Sequence, residues 1–478
     1  MHRELLIGGV FFGGPCDGSI GKTQHYAPYD GRLVGTAAEA GWNEVNFALS
    51  SAHDAFPLWR RTPTRDRQGL LRRVAAALRD RHEELSQLLS LEIGKPIGQA
   101  RGEVTRCALT FDLAADALSL PTGQVLPVDL DVRGDGYRGE VRRVPRGPVL
   151  AIVPYNWPLN LAAHKIAPAL AVGNPVIVKA ASMGTLSTLT LGRIIHECGA
   201  PDGVINVLNC PAALAQKAAL DARVPVVSFT GSPAVGWRLK EMLPRKMVTL
   251  ELGGDASAVV TPDADIDFAV SRLIPAAFGY AGQVCISVQH ILVHESRMEE
   301  FRAKFVAAAE ACPTGDPSQV ATVCGPVIRD EDADRIMEWI AEAESGGAQV
   351  LCGGSRTARV IEPTVLENVP RNVRLGCEEV FGPVVTLTPY TSREEAADRI
   401  NASRFGIHAG VFTRDLAEAA WWCDALEVGG VVIGDAPNLR FDALPYGGVK
   451  ESGFGREGIL SALTEMTEER TIITRIRS

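Results

Sequence analysis

Short apolar runs alternate with segments of helical periodicity through the middle of the chain. The runs carry apolar residues at consecutive positions, which is typical of parallel strands covered on both faces. They lie at 148–153, 175–179, 204–208, 226–230 and 247–250. Five such strands, separated from one another by helical segments, predict a doubly wound α/β sheet of the nucleotide-binding type.

The residues before this region predict a strand, helices and a hairpin. The apolar run 5–12 predicts one early strand. Thr62 and Pro63 open a pattern whose apolar residues recur every three or four positions up to Gly94, which predicts one long helix. A second helix is predicted over 99–117, and alternating residues predict a β-hairpin over 121–145.

The residues after Gly253 predict a second α/β region. Strand-like runs lie at 384–387 and 429–433, and the tail 471–476 predicts an edge strand. The tail has two candidate partners, the hairpin of its own chain and the hairpin of another subunit. We expect the second pairing, because a lone two-stranded ribbon is only marginally stable.

Composition and charge exclude several classes of function. Of the 478 residues, 46% are hydrophobic, and the net charge is −9 without a basic cluster, so nucleic-acid binding is not expected. No apolar run reaches the roughly 18 residues of a membrane span, so no membrane association is expected. The ten cysteines are scattered without zinc-ligand spacing, which predicts no metal site, reduced thiols and a cytoplasmic protein.

Three residues are candidates for catalysis. Cys285 follows a glycine-containing stretch in which backbone N–H groups have room to approach a substrate, as a nucleophilic thiol requires. Glu251 ends a strand before two glycines and suits a general base, and Asn156 follows the first strand, where its amide suits an oxyanion. The alternatives are a buried structural cysteine, a surface carboxylate and a turn asparagine.

Two further features suit a nucleotide. Gly231 and Ser232 separate a strand from a helix, and such a turn aims N–H groups and the positive end of the helix at a diphosphate. An ordinary strand–helix turn explains the same pattern. Lys179 ends the second of the five strands and suits either a ribose or phosphate contact or a solvated position.

Taken in order, these stretches resemble the NAD(P)-dependent aldehyde dehydrogenase superfamily over essentially the whole chain. The matching motifs are Pro154-Tyr155-Asn156-Trp157-Pro158, Lys179, Phe229-Thr230-Gly231-Ser232, Glu251-Leu252-Gly253-Gly254, Gly282-Gln283-Val284-Cys285, Glu379-Val380-Phe381-Gly382-Pro383 and Pro445-Tyr446-Gly447-Gly448-Val449-Lys450 with Ser452-Gly453. The resemblance implies that Cys285 attacks an aldehyde, that Asn156 and the Cys285 N–H hold the oxyanion, and that Glu251 activates water. Acyl-transferring members typically lack this base, so the free acid is the expected product.

The resemblance also implies a binding site for NAD or NADP. Its expected residues are Pro154, Tyr155, Lys179, Ser182, Gly231, Ser232, Glu379 and Phe381, with Glu379 on the nicotinamide ribose and Phe381 beside the nicotinamide. The sequence departs from the family pattern at two places on the adenosine side of this binding site. Ser182 stands where NAD-preferring members carry a glutamate that would repel a 2′-phosphate, and the usual glycine-rich turn is Asn209-Cys210-Pro211. We therefore expect NADP to be tolerated.

The expected substrate is a small aldehyde. Leu439-Arg440-Phe441-Asp442 and Met466-Thr467-Glu468-Glu469 resemble a branch that includes lactaldehyde, phosphonoacetaldehyde and non-phosphorylating glyceraldehyde-3-phosphate dehydrogenases. Arg106 and Arg440 suit a clamp on an anionic group. Trp157 is also expected in the substrate site. Trp157 and Val284 stand where the phosphonate-handling members carry basic residues, which leaves a neutral substrate as the alternative.

The resemblance divides the chain into three parts. Residues 1–120 and 146–252 are predicted to form a Rossmann-type coenzyme domain, 253–440 an α/β catalytic domain, and 121–145 with 464–478 an oligomerisation arm of a homodimer or homotetramer. Two other classes of protein remain as alternatives: a Cys285-dependent hydrolase or acyltransferase without a nucleotide, and an inactive oligomeric binding protein.

Overall fold

The larger of two main sheets contains the five predicted parallel strands. The protein is seen in a computed structural model that describes residues 1–13, 21–120 and 123–476; Cys16, the start of the predicted hairpin at 121–122 and the last two residues of the predicted arm lie outside the described residues. The strands run in the order Gly453–Phe454, Met247–Glu251, Val226–Thr230, Val149–Ile152, Val176–Lys179, Ile205–Leu208, Leu5–Ile7 and Val10–Phe12. The doubly wound α/β class is confirmed.

The strand order creates a switch point. Val149–Ile152 pairs in parallel with Val176–Lys179 on one side and with Val226–Thr230 on the other, so the chain winds away from it in both directions. In such sheets ligands bind outside the carboxyl ends of the strands at this point. The predicted single strand at 5–12 is wrong, because Gly8 and Gly9 adopt positive φ angles and turn it into a hairpin at the sheet edge.

Helices cover both faces of this sheet. They are Trp42–Trp59, Thr64–Asp80, His82–Ile93, Ile97–Ala117, Asn160–Val172, Thr185–Glu197, Ala212–Leu220, Pro233–Met242 and Ile459–Glu465. The predicted single helix up to Gly94 is wrong, because Arg81 has φ −102° and ψ 20° and ends the first of two helices. Both helices pack on Ile97–Ala117, and the break allows each apolar face to reach it.

The second sheet belongs to the region that contains Cys285, which precedes the strand His290–His294. Its order is Gln349–Cys352, Thr364–Glu367, Val384–Tyr390, His290–His294, Ser257–Val260, His408–Phe412 and Gly430–Ile433. Its helices are Ile266–Phe278, Glu295–Glu310, Asp330–Ser345, Arg374–Cys377, Arg393–Asn401 and Leu416–Ala425. The predicted second α/β region is confirmed, and all pairs in the sheet are parallel except that of Gln349–Cys352 with Thr364–Glu367.

Smaller sheets complete the fold. They pair His2–Arg3, Leu33–Glu39 and Gly21–Tyr26, then Arg356–Thr357 with Val360–Ile361, and Phe405–Gly406 with Val449–Lys450. Short 3-10 turns lie at Val132–Gly134 and Gly279–Gly282. Within the described ranges, no helix combines the length and apolar character that crossing a membrane requires.

The C-terminal strand pairs with the hairpin of its own chain. Thr467–Arg475 runs antiparallel to Tyr137–Pro145, which in turn pairs with Gly123–Leu126. The expectation that the hairpin takes this strand from a partner subunit is therefore wrong for this edge. An in-chain third strand supplies the pairing that a two-stranded ribbon lacks. The division of the chain into three functional parts stays a prediction.

A buried ion pair fixes the helices beneath the site. The Lys95 ammonium group bonds to the Glu103 carboxylate, and both side chains are fully buried. The other oxygen of Glu103 accepts from the N–H groups of Leu159 and Asn160 at 2.8 and 3.2 Å, where the next helix begins. Breaking such a pair leaves an uncompensated buried charge.

We predict that Lys95→Met destabilises the protein by about 3–5 kcal/mol, because Glu103 would stay buried without its cation. The urea midpoint of unfolding measures the change, and the exposed Lys22→Met is the matched control. A Lys95→Met protein as resistant to urea as Lys22→Met would contradict the expectation.

Candidate active site

The loop before Cys285 adopts a backbone that few residues tolerate. Tyr280 and Ala281 both have φ of 53°, and the Tyr280 hydroxyl donates to the Ile93 carbonyl at 3.0 Å. Gly282 has φ of 68°, and a Cβ there would collide with the Gly382 carbonyl oxygen. The loop is thus held in a strained path against the segment that carries Glu379 and Phe381.

Two cavities meet at Cys285. The larger has a volume of 510 Å³ and lies over the switch point of the first sheet. The smaller has a volume of 260 Å³. Asn156, Leu161 and Cys285 line both. A reagent in either cavity therefore has access to the thiol.

The Cys285 thiol is uncharged in this environment. Its sulfur lies 3.0 Å from the Tyr446 hydroxyl. Burial raises the pKa of the Cys285 thiol to about 12, while the Tyr446 hydrogen bond and the Arg440 charge act in the opposite direction. The reactive thiolate must therefore form by loss of a proton during the reaction.

The predicted oxyanion donor Asn156 lies beside the thiol. It follows the strand Val149–Ile152, and its side-chain N–H donates to the Gln283 carbonyl at 2.9 Å. The Gln283 side chain accepts in turn from the Ile328 N–H at 2.9 Å and the Tyr155 hydroxyl at 3.2 Å. One amide hydrogen fixes the orientation of Asn156, which leaves the second for a ligand.

Glu251 is a second buried ionisable group where the two cavities meet. It ends the strand Met247–Glu251 and lines the larger cavity with Cys285. Both of its carboxylate oxygens are buried without a hydrogen-bond partner among the described residues. Burial and then the nearby Glu457 charge raise the Glu251 pKa well above its ordinary value. An unpartnered buried carboxylate of this kind is typical of a functional site.

Glu457 belongs to a buried charge network behind Glu251. Its carboxylate accepts from the Lys165 ammonium group at 2.5 Å and from the Arg440 guanidinium at 3.3 Å. The Lys165 and Arg440 cations hold the Glu457 pKa at about 2 despite burial. Glu457 is therefore ionised, and its charge acts on Glu251.

The larger cavity brings together every residue predicted to bind a nucleotide. Its lining includes Pro154, Tyr155, Lys179, Ser182, Gly231, Ser232, Glu379 and Phe381. The Glu379 carboxylate accepts from the Gly254 N–H at 3.0 Å, and burial raises its pKa to about 7. Phe381 has φ of 47° and meets the Tyr155 ring edge-on at 6.2 Å.

The turn Asn209-Cys210-Pro211, expected on the adenosine side, packs against the small N-terminal sheet. The Asn209 side chain donates to the Thr23 hydroxyl at 3.0 Å and to the Ala38 carbonyl at 3.1 Å. Cys210 is buried, and burial raises its thiol pKa to about 11. The turn is thus fixed by side-chain hydrogen bonds where glycines were expected.

The smaller cavity holds the predicted substrate residues Arg106, Arg440 and Trp157. Arg106 makes two hydrogen bonds to Asp442, at 2.9 and 2.6 Å. The Arg440 guanidinium lies 3.7 Å from the centre of the Tyr446 ring. Arg106 and Arg440 are the charged side chains of this lining, so the surface offered to a ligand is positive although carboxylates lie behind it.

Several residues at the site were not predicted. Tyr446 lay within a quoted motif, but its distance to Cys285 carried no signal in the sequence. Lys165 and Glu457 sit in helical and loop segments without distinctive spacing. Arg329, Asp332 and Arg335 line the larger cavity from the helix Asp330–Ser345 and the residue before it. No group of three potential metal ligands occurs among residues 1–13, 21–120 and 123–476.

Comparison with known proteins identifies the class that this fold and site define. A model of the aldehyde dehydrogenase family matches residues 17–472. The chain is 37% identical over 466 residues to a 3-sulfolactaldehyde dehydrogenase from Priestia aryabhattai, with 97% of each chain covered.

Solved structures of aldehyde dehydrogenases are also similar to this chain. Aldehyde dehydrogenase 21 from Physcomitrella patens, in complex with the reaction product succinate, has a TM-score of 0.96 and 37% identity over 99% of this chain and 98% of that one. An NADP-dependent glyceraldehyde-3-phosphate dehydrogenase from Bacillus halodurans, complexed with NADP, has a TM-score of 0.96 and 33% identity over 100% of both chains.

The chain belongs to the aldehyde dehydrogenase family. It is an NAD(P)-dependent enzyme that oxidises aldehydes, and the predicted resemblance is confirmed. A nucleotide-free hydrolase and an inactive binding protein are not favoured.

We predict that Tyr446→Phe slows alkylation of Cys285 by iodoacetamide severalfold at pH 8. The Tyr446 hydrogen bond lowers the thiol pKa, so its loss raises that pKa and reduces the thiolate fraction, by tenfold for each unit. The rate is followed by mass spectrometry of the Cys285 peptide across pH. Tyr29→Phe, at an exposed tyrosine, should react like the wild type; equal rates in Tyr446→Phe would show that the hydroxyl does not act on the thiol.

Proposed function

We propose that the protein oxidises a short anionic aldehyde to the free carboxylic acid, using NAD or NADP. The observation that carries the proposal is the position of Cys285, where a nucleotide-sized cavity meets a smaller, arginine-lined one. The thiol is accessible to a cofactor from one side and to an aldehyde from the other.

The larger cavity fits NAD(P). Its volume of 510 Å³ and its place at the carboxyl ends of parallel strands suit a nucleotide. Lys179 and Ser182 would hold the adenosine ribose, Gly231 and Ser232 the diphosphate at the start of Pro233–Met242, and Glu379 the nicotinamide ribose. When bound, the nicotinamide supplies the hydride acceptor. Ser182 places no carboxylate against a 2′-phosphate, which supports the use of NADP as well as NAD.

Cys285 is proposed as the nucleophile. Ionised Glu251 accepts the thiol proton and passes it to solvent. The sulfur then forms a bond to the aldehyde carbon and gives a thiohemiacetal whose oxyanion accepts from the Asn156 amide and the Cys285 N–H. Loss of hydride from that carbon leaves a thioester on Cys285. The Tyr446 hydroxyl, 3.0 Å from the sulfur, stabilises the thiolate before attack.

Glu251 is proposed as the general base. Ionised Glu251 takes a proton from water, and the resulting hydroxide attacks the thioester and releases the acid and the thiol. Its unpartnered oxygens are free to accept from that water. Because the pKa values of Glu251 and Cys285 are both raised, the deprotonated forms become more populated as pH rises, and activity should increase towards alkaline pH.

An anionic substrate is supported by the smaller cavity. Arg106 and Arg440 are the charged groups of its lining, and its 260 Å³ suits a molecule of a few carbons. The 3-sulfolactaldehyde dehydrogenase from Priestia is named for an anionic aldehyde, and the Physcomitrella structure contains the dicarboxylate succinate. Both facts support, for this chain, an aldehyde that carries a sulfonate, phosphate or carboxylate group.

We also propose that the enzyme is a cytoplasmic homodimer or homotetramer. The hairpin arm exposes apolar side chains, with Leu130 88% and Val132 80% exposed, and Ile473 on the C-terminal strand is 68% exposed. Apolar surface concentrated on one arm supports its burial against a second subunit. Light scattering of the purified protein measures the subunit number.

We predict that Glu251→Gln stops turnover after at most one equivalent of reduced cofactor per subunit, because the thioester forms but water is not activated. The steady rate should fall about 10²–10⁴-fold. Absorbance at 340 nm with an aldehyde panel, and with NAD and NADP in parallel, measures both phases. Cys285→Ala should give no reduction, and the exposed Glu299→Gln is the control. Undiminished steady turnover in Glu251→Gln would refute the role of base.

We predict that Arg106→Ala and Arg440→Ala each lower kcat/KM for a sulfonated or phosphorylated short aldehyde by roughly tenfold or more, because a hydrogen bond to a charged group is lost. The kcat/KM for propanal should change less. Competing saturation kinetics of the two aldehydes give the ratio. An unchanged ratio in both variants, or no wild-type preference for the anion, would favour a neutral substrate.

A further inference from the structure

A third cavity lies on the second sheet, away from the reaction site. It has a volume of 370 Å³, and its lining shares no residue with the two cavities that meet at Cys285. We call it the Arg399 pocket, defined by Asp255, Ser257, His290, Arg371, Thr386 and Arg399. A volume of this size is within the range of small-ligand sites, roughly 300–1,000 Å³.

The floor of the Arg399 pocket is a polar row across three strands. Ser257 is the register partner of His290, and His290 is the register partner of Thr386, so the three side chains project from one face of the sheet. The His290 Nδ1 atom lies 2.8 Å from the Thr386 hydroxyl. The row places hydrogen-bonding groups at the base of the pocket, next to buried Leu292.

Arginines form the wall above this floor. Arg371 is exposed and donates to the backbone carbonyl of Arg399 at 3.1 Å, which brings the two residues together. Arg399 is only partly exposed, at the end of the helix Arg393–Asn401. Neither guanidinium has a carboxylate ion-pair partner among the residues that the structure describes. Arg404, also in the lining, is paired with Glu378.

The two unpaired arginines affect each other and their neighbour. Burial and then the Arg371 charge lower the pKa of Arg399, while the Glu395 charge raises it. Burial, followed by the Arg399 and Arg371 charges, lowers the pKa of His290 to about 4, so the ring is neutral at physiological pH. The pocket therefore combines neutral hydrogen-bonding groups with two arginines that have no ion-paired carboxylate among the described residues.

One acidic residue shares the pocket. The Asp255 carboxylate accepts from the Ser403 hydroxyl at 2.7 Å, and burial raises its pKa to about 6. Its carboxylate lies 3.9 Å from the His290 Nε2 atom, and the cations that lower its pKa are Arg404 and Lys450. The two arginines remain the groups that a ligand would meet.

We propose that the Arg399 pocket binds a small anion carrying a phosphate or carboxylate group, with Arg371 and Arg399 as its charged donors and the hydroxyls of the floor as its neutral ones. Guanidinium groups match the oxygens of both anions in paired hydrogen bonds. The Arg399 pocket shares no lining residue with the smaller or the larger cavity at Cys285, so binding there does not depend on the proposed catalytic function.

Calorimetric titration of the full-length, NADP-saturated enzyme with inorganic phosphate, and separately with citrate, tests the proposal at ionic strength held constant with chloride. We expect saturable binding of at least one anion by the wild type. Arg399→Gln and Arg371→Gln should each weaken that binding by about tenfold or more, since each removes a charged hydrogen-bond donor. Arg393→Gln, on the same helix but outside the pocket, should bind like the wild type.

The variants distinguish this site from other anion sites on the enzyme. Phosphate or citrate held by Arg106 and Arg440 would bind equally well to Arg399→Gln, Arg371→Gln and the wild type, and that result would overturn the proposal. Absence of saturable binding by the wild type would overturn it too. Thermal melting checks the folding of each variant, and the exposed Arg371 provides the decisive variant if Arg399→Gln does not fold.

Discussion

The burial of ionisable groups at the junction between the two sheets is the constraint on which the site depends. Burial raises the pKa of the Cys285 thiol to about 12 and the pKa of the Glu251 carboxyl well above its ordinary value. The surrounding structure supplies partial compensation through the Tyr446 hydroxyl and the Arg440 charge. Ionisable groups whose pKa values are shifted by burial in this way are typical of functional sites.

The same constraint explains the buried charge around the site. Lys95 with Glu103, and Lys165 with Glu457, place paired ions beneath the segments that carry Asn156 and Glu251. Such pairs add little to stability compared with apolar packing, but each partner requires the other. They fix the start of the helix Asn160–Val172 and hold a negative charge close to Glu251. The charges of Glu457, Arg440 and Lys165 thus act on the pKa of Glu251.

Arginines line both the smaller cavity at Cys285 and the Arg399 pocket, but their ion pairs differ. In the smaller cavity, Arg106 forms an ion pair with Asp442 and Arg440 forms one with Glu457. These ion pairs hold the two arginines in place without a ligand. In the Arg399 pocket no carboxylate takes that position for Arg371 and Arg399 among the described residues. Paired arginines suit a substrate that is bound and then released. Arginines without an ion-paired carboxylate suit an anionic ligand that supplies the missing negative charge.

The sequence by itself determined the five parallel strands of the first sheet, two strands of the second, and the candidate nucleotide-binding residues that line the larger cavity. Apolar periodicity is local, and the motifs of Asn156, Glu251 and Cys285 keep their spacing. Only the tertiary structure decided the break at Arg81, the in-chain partner of Thr467–Arg475, and the contact of Tyr446 with Cys285. Arg106 meets Asp442 from 336 positions away, and the Arg399 pocket is assembled from separate strands and a helix end. Ion pairs and cavities depend on which distant segments pack together, and local patterns along the chain carry no record of that packing.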